Sequence, residues 1–104
     1  MEGHKLITST STLSTPNAGD YLHQLCKHFA KRVPVTEGIG SAKVTLPIGT
    51  CDLTANDTQI SAIVQTEPEH VERMEEVFGG WIERFAFREK PNLTWHRATN
   101  TTKD

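Results

Sequence analysis

Between Ala42 and Val64 the chain alternates three times in succession. Ala42, Val44 and Leu46 stand two residues apart, as do Cys51, Leu53 and Ala55, and then Ile60, Ala62 and Val64. A period of two puts each set on one side of a strand, and clean alternation implies one buried and one wetter face, the antiparallel pattern. Turn residues fill the intervals, Pro47 to Thr50 and then Asn56-Asp57-Thr58. Ahead of them Val33 to Glu37 enters Gly38-Ile39-Gly40-Ser41, a glycine-rich hairpin loop. The spacing therefore predicts a four-strand meander with one apolar face that some other layer must cover.

Two amphipathic helices supply the cover. The first is predicted over Asp20 to Arg32, with Leu22, Leu25, Phe29 and Val33 on one stripe. Asn17 suits its N-cap, Asp20 serves as an acidic capping partner, and Pro34 stops it. The second opens with a capping box, Thr66 and Glu69, and has Pro68 in its first turn. Its stripe is Val71, Met74, Phe78, Trp81, Ile82 and Phe85. Gly79-Gly80 interrupts it at a cost of roughly 1 kcal/mol per glycine relative to alanine. The stripe continues in phase beyond the pair, so a single helix is expected, kinked or packed closely at the glycines. It should end near Ala86, with Phe87 tucked under the turn at Pro91.

Lys5 to Ser14 is rich in Thr and Ser and reads as a strand. Leu93 to Arg97 reads as a short last strand, and Ala98 to Asp104 as a frayed tail. The expected fold is α+β, a two-layer sandwich: strand, helix, four-strand meander, helix, short strand, with both helices on one face of an antiparallel sheet. Residues 1–104 make one domain with its core over about 5–97.

Charge and composition exclude several classes. The 104 residues carry a net charge of −2, so nothing electrostatic favours nucleic acid. Residues 53–104 hold six Lys/Arg against nine Asp/Glu, mostly because the second helix is acidic. Glu69, Glu72, Glu75, Glu76 and Glu83 read as its solvated outer face. No apolar run approaches about 18 residues, so no membrane span is expected. Met-Glu-Gly-His-Lys leads into no apolar stretch, which is not a signal peptide, and a cytoplasmic location is the default. Two cysteines do not make a disulfide scaffold. Gly38-x-Gly40 lacks both the third glycine and the following helix of a dinucleotide fingerprint.

The candidate site residues cluster on the first helix. At about 100° per residue, His23 and Cys26 share a flank and suit two positions of a metal site. A zinc site needs three or four ligands, so Cys51 or a second subunit would have to add to them. Cys26 and His28 point to nearly opposite flanks. Lys27, Lys31 and Arg32 with His28 form a basic flank fit for a small anion, whereas lysines on a helix also serve simply as solvated surface. His96 beside Trp95 and Arg97 is a cluster of the kind that lines ligand pockets or sits on an edge strand. Cys26 or Cys51 with a nearby His would serve a thiol-dependent enzyme; as small apolar residues both also fit a core.

Three motifs carry a family resemblance: Tyr-Leu-His-Gln-Leu-Cys-Lys-His-Phe (21–29) followed by Val-Pro-Val (33–35); Leu-Pro-Ile-Gly-Thr-Cys-Asp-Leu (46–53); and Glu-Arg-Phe-Ala-Phe-Arg-Glu (83–89) followed by Leu-Thr-Trp-His-Arg (93–97). Together they resemble the bacterial Domain of Unknown Function family 2218 over about residues 5–98. The family brings no catalytic residue and no cofactor to carry over. Some relatives are fused to siderophore-interacting, flavin-dependent ferric reductase domains. The resemblance thus implies a small cytoplasmic binding or accessory module, without catalysis of its own, in iron–siderophore metabolism. Its partner would be such a reductase or a small ligand. A strand edge beside Trp95 suits a homodimer, with a monomer as the alternative.

Overall fold

The computed structural model of the chain describes residues 5–91 and 93–101. Six strands and two helices form it: β1 (Lys5–Ser14), α1 (Ala18–Ala30), β2 (Val35–Gly38), β3 (Ser41–Leu46), β4 (Gly49–Ala55), β5 (Gln59–Thr66), α2 (Val71–Phe85) and β6 (His96–Thr101). Short 3₁₀ turns flank α2 at Pro68–His70 and Phe87–Glu89. The strands make one antiparallel sheet in the order β2-β3-β4-β5-β1-β6. The fold is α+β, as the alternation and the two stripes predict.

The meander β2 to β5 lies in sequence order, and β1 returns to pair with β5, so the first strand sits inside the sheet. Register aligns Ser9, Val64, Cys51 and Val44 in one row and Ser11, Ala62, Leu53 and Ala42 in the next. These rows are buried under the helices. From α1 the core takes Ala18, Tyr21, Leu22, Leu25, Cys26 and Phe29, and from α2 Met74, Phe78 and Ile82. The rings of Phe29 and Phe78, 4.9 Å apart, join the two helices. The β2–β3 hairpin turns at Ile39-Gly40, where Gly40 has φ +68°, a left-handed conformation that suits glycine.

Several local expectations give way to longer-range partners. Asn17 occupies the N-cap of α1 without a side-chain cap hydrogen bond, and its amide nitrogen donates to Glu89 Oε2 at 3.1 Å instead. The capping box at Thr66 does not form either. Thr66 is buried in the sheet and its hydroxyl donates to the Ile48 carbonyl at 2.5 Å, which leaves Glu67 at the N-cap. Helix α2 runs unbroken through Gly79-Gly80. At Gly79 a Cβ would stand 3.1 Å from the indole Nε1 of Trp95, so the missing side chain lets that ring lie on the helix.

Phe87 is not tucked under the turn. The 3₁₀ turn that follows α2 aims Glu89 inward and leaves Phe87 64% exposed, with the Arg88 guanidinium 5.8 Å from its ring centre. The last strand begins at His96 rather than Leu93 and takes in residues 98–101, which the sequence assigns to a frayed tail. Leu93 and Trp95 instead pack, half-buried, against the core from an extended segment. Residues 102–104 lie outside the described part. No helix among the described residues is long and apolar enough to cross a membrane.

Candidate functional site

Three groups of side chains join elements that are distant in sequence. The first sits where α1 and α2 pack. His28, near the end of α1, stacks on Trp81 of α2 with ring centres 3.7 Å apart and planes 40° apart. Phe29 and Phe85 meet the same imidazole edge-on, at 5.1 and 6.3 Å. Arg84 lies over the other ring of the cluster, 5.2 Å from the Trp81 centre. Burial lowers the His28 pKa, and the positive charges of Arg32, Lys31 and Arg84 lower it further. His28 is therefore neutral at pH 7, held between aromatic rings and cations. Among the described residues, Lys27, Lys31, Arg32 and Arg84 form no ion pair. Exposed cations thus surround an aromatic cluster, an arrangement that attracts negative charge.

The second group ties the last strand to α2. Arg97 donates from Nε to Glu75 Oε2 at 2.7 Å and from Nη2 to Oε1 at 2.6 Å, and Ser9 Oγ donates to Oε2 at 2.5 Å. These donors, Arg97 foremost, hold the Glu75 carboxyl below its usual pKa despite burial. Glu75 therefore does not belong to the solvated face that the sequence suggests; its side chain is 11% exposed.

The third group closes the opposite end. Glu89 Oε2 accepts from the Tyr21 hydroxyl, from Thr15 Oγ1 at 2.8 Å and from Asn17 Nδ2 at 3.1 Å. The Tyr21 bond chiefly holds Glu89 below the usual carboxylate range and raises the Tyr21 phenol above its own. This carboxylate fastens the end of α2 to the start of α1.

The structure disperses some of the residues that spacing groups together. Cys26 is buried in the core and His23 is exposed on the outer side of α1. Among the described residues, the group of at least three potential ligands within 4.8 Å of one another is Glu67, Glu69 and His70, and neither His23 nor Cys26 is part of it. Cys51 is fully buried in the sheet, and its thiol pKa is driven up strongly by that burial. Burial also raises the Cys26 thiol, and Glu37 adds to the effect. Both thiols stay protonated at neutral pH, the environment of packing residues rather than nucleophiles. Trp95 and His96 part company. The indole lines a groove along α2. His96 pairs with Thr10 on the sheet side away from Ser9 and Arg97, and is exposed.

Of the basic flank, His28 meets the aromatic cluster while Lys27, Lys31 and Arg32 stand exposed beside it. Spacing within α1 cannot reveal Trp81, Phe85 or Arg84 as partners, since they lie more than fifty residues away. The one available signal is that Trp81 and Phe85, four apart, occupy the edge of the α2 stripe. Nothing local marks Glu89 as the acceptor for Tyr21.

A family model described as "Uncharacterized protein conserved in bacteria (DUF2218)" matches residues 10–96. The solution structure of PA4090 from Pseudomonas aeruginosa is similar in fold, with a TM-score of 0.72 at 24% sequence identity, covering 86% of this chain and 95% of that one. No curated protein matches the chain.

Proposed function

The chain belongs to this DUF2218 family of bacterial proteins, and we propose from that premise that it is a cytoplasmic binding and accessory module. Its working face is the His28–Trp81 surface. Its ligand carries aromatic rings and net negative charge, the chemistry of an iron-loaded catecholate siderophore. The observation that carries this reading is the stack of His28 on Trp81 at 3.7 Å, ringed by Lys31, Arg32 and Arg84 without counter-ions among the described residues. Exposed cations beside aromatic faces favour a ligand that brings both negative charge and a ring. Ferric catecholates do so, because three doubly deprotonated rings around Fe³⁺ leave excess negative charge. The link to iron handling, with a flavin-dependent siderophore reductase as the protein partner, rests on the fusion to such reductases that the family resemblance implies for some relatives.

The test is a titration of ferric tris(2,3-dihydroxybenzoate) into the protein, followed by the indole N–H resonances of Trp81 and Trp95. Saturable movement of Trp81, weakened at least about tenfold in Lys31→Ala/Arg84→Ala through loss of the cationic contacts, supports the reading. No movement, or equal affinity in the double variant, rejects it.

A further inference from the structure

Ring contacts alone hold the His28 side chain. The imidazole lies 3.7 Å from Trp81, with Phe29 and Phe85 meeting it edge-on. Among the described residues neither ring nitrogen has a hydrogen-bond partner, and neither is sealed from solvent. An imidazole that serves the fold is ordinarily fixed by a hydrogen bond at one nitrogen. Here both nitrogens stay available to whatever docks against the face.

The two charge states of this ring meet an anion differently. A neutral imidazole offers one N–H and one lone pair, and the lone pair repels an anionic oxygen. The imidazolium offers two N–H donors instead. It also gains from its place on Trp81, whose ring face attracts a cation. In the free protein burial opposes the charge, and so do the cations that face the ring, Lys31 and Arg32 at the end of α1 and Arg84 on α2. None of the three has an ion pair among the described residues. A ligand with net negative charge cancels that repulsion when it arrives, and the favourable contacts of the imidazolium then remain.

We infer that ligand binding at this face carries a proton with it: the incoming anion draws one proton from solvent onto His28, and the imidazolium donates to the ligand from its place on Trp81. The inference rests on the anion-binding reading of the face and adds its regulation. Proton and ligand must favour one another equally. The face therefore holds anions more tightly in mildly acidic solution and releases them as pH rises.

The probe is gallium(III) tris(2,3-dihydroxybenzoate), the diamagnetic counterpart of the ferric complex, which leaves NMR lines sharp. The His28 midpoint, followed by proton NMR, should rise by about one unit or more in the saturated protein. Each unit corresponds to about tenfold tighter binding at a pH below both midpoints than at a pH above them. His28→Phe keeps a ring against Trp81 and cannot take the proton. Calorimetry at about pH 6.5, in two buffers of different ionisation enthalpy, should show more proton uptake in the parent than in this variant. Protons exchanged by the probe itself cancel in that difference. If the probe binds and the His28 midpoint stays where it is in the free protein, the inference fails and the anion-binding reading stands. If the probe does not bind, both fall.

Discussion

Arg97 holds Glu75 through two nitrogens, at 2.6 and 2.7 Å, and thereby fastens the outermost strand β6 to helix α2. The partners are unequal: Glu75 is 11% exposed and Arg97 49%. Removing the arginine strands a mostly buried carboxylate, whereas removing the carboxylate frees an arginine that already reaches water. Arg97→Ala is therefore expected to lower the urea midpoint at pH 7 more than Glu75→Gln does. The sign with pH follows from the lowered carboxyl pKa. In the parent this pair contributes stability above the unfolded carboxylate range, near 4.3, and loses it as pH falls through the folded value. Without Arg97 that acid-side loss should shrink. Equal midpoints for both variants at pH 7 would mean that the pair does not latch the strand.

Gly79 and Gly80 should respond oppositely to the same substitution. Alanine at Gly80 meets open space and is expected to stabilise the protein by up to about 1 kcal/mol. Alanine at Gly79 would press within 3.1 Å of Trp95 Nε1 and should forfeit that gain by displacing the indole. Urea unfolding of the two variants, read together with the Trp95 indole resonance, checks this. If Gly79→Ala is as stabilising as Gly80→Ala and leaves the resonance in place, the ring does not rest on the helix as described.

This glycine pair also marks where the sequence stops being legible. Periodicity alone finds the sheet, both helices and the side of each that is buried, because those patterns reflect local geometry repeated over several residues. It shows α2 continuing through the glycines, but not that Trp95 is the reason for one of them. The capping positions fail for a related cause. Asn17 and Thr66 have the right chemistry to cap their helices, and each finds a stronger partner elsewhere, Glu89 for one and the Ile48 carbonyl for the other. The candidate site was half visible: the basic flank and His28 belong to one helix, but Trp81 and Arg84 belong to another. Glu75 reads as surface on a helical wheel because its partner Arg97 arrives from a strand more than twenty residues later.

The Tyr21–Glu89 bond predicts a titration pattern at both ends of the pH scale. Glu89 raises the Tyr21 phenol above 10, and Tyr21 in turn lowers Glu89. A raised phenol pKa contributes stability below the unfolded value, near 10, that is lost as pH rises through the folded one. A lowered carboxyl contributes stability above the unfolded value, near 4.3, that is lost as pH falls. The clamp is thus complete only between these limits. Because the chain has a single tyrosine, its ionisation can be followed directly by tyrosinate absorbance. Glu89→Gln should bring the midpoint down toward 10 and remove the acid-side loss assigned to this carboxylate. A tyrosine midpoint that does not move in Glu89→Gln would show that the hydroxyl has no such partner in solution.

His28 predicts the remaining pH response. Its ring is covered by Trp81 and Phe85 from α2 and Phe29 from α1, and it faces the charges of Lys31 and Arg32 on α1 and Arg84 on α2. Burial and those three cations disfavour the imidazolium, so the folded midpoint lies below the usual 6.5. The unfolded chain therefore takes up this proton first. The neutral ring contributes stability above pH 6.5, and that contribution fades as pH falls toward the folded midpoint. A proton NMR titration should place the His28 midpoint below the usual 6.5, and that midpoint should rise when Lys31 or Arg84 is neutralised. His28→Phe should keep a ring against Trp81 and abolish this part of the acid sensitivity. A His28 midpoint at or above 6.5 would mean that the imidazole is solvated and free of those cations, and that the stacked face on which ligand binding is proposed does not persist in solution.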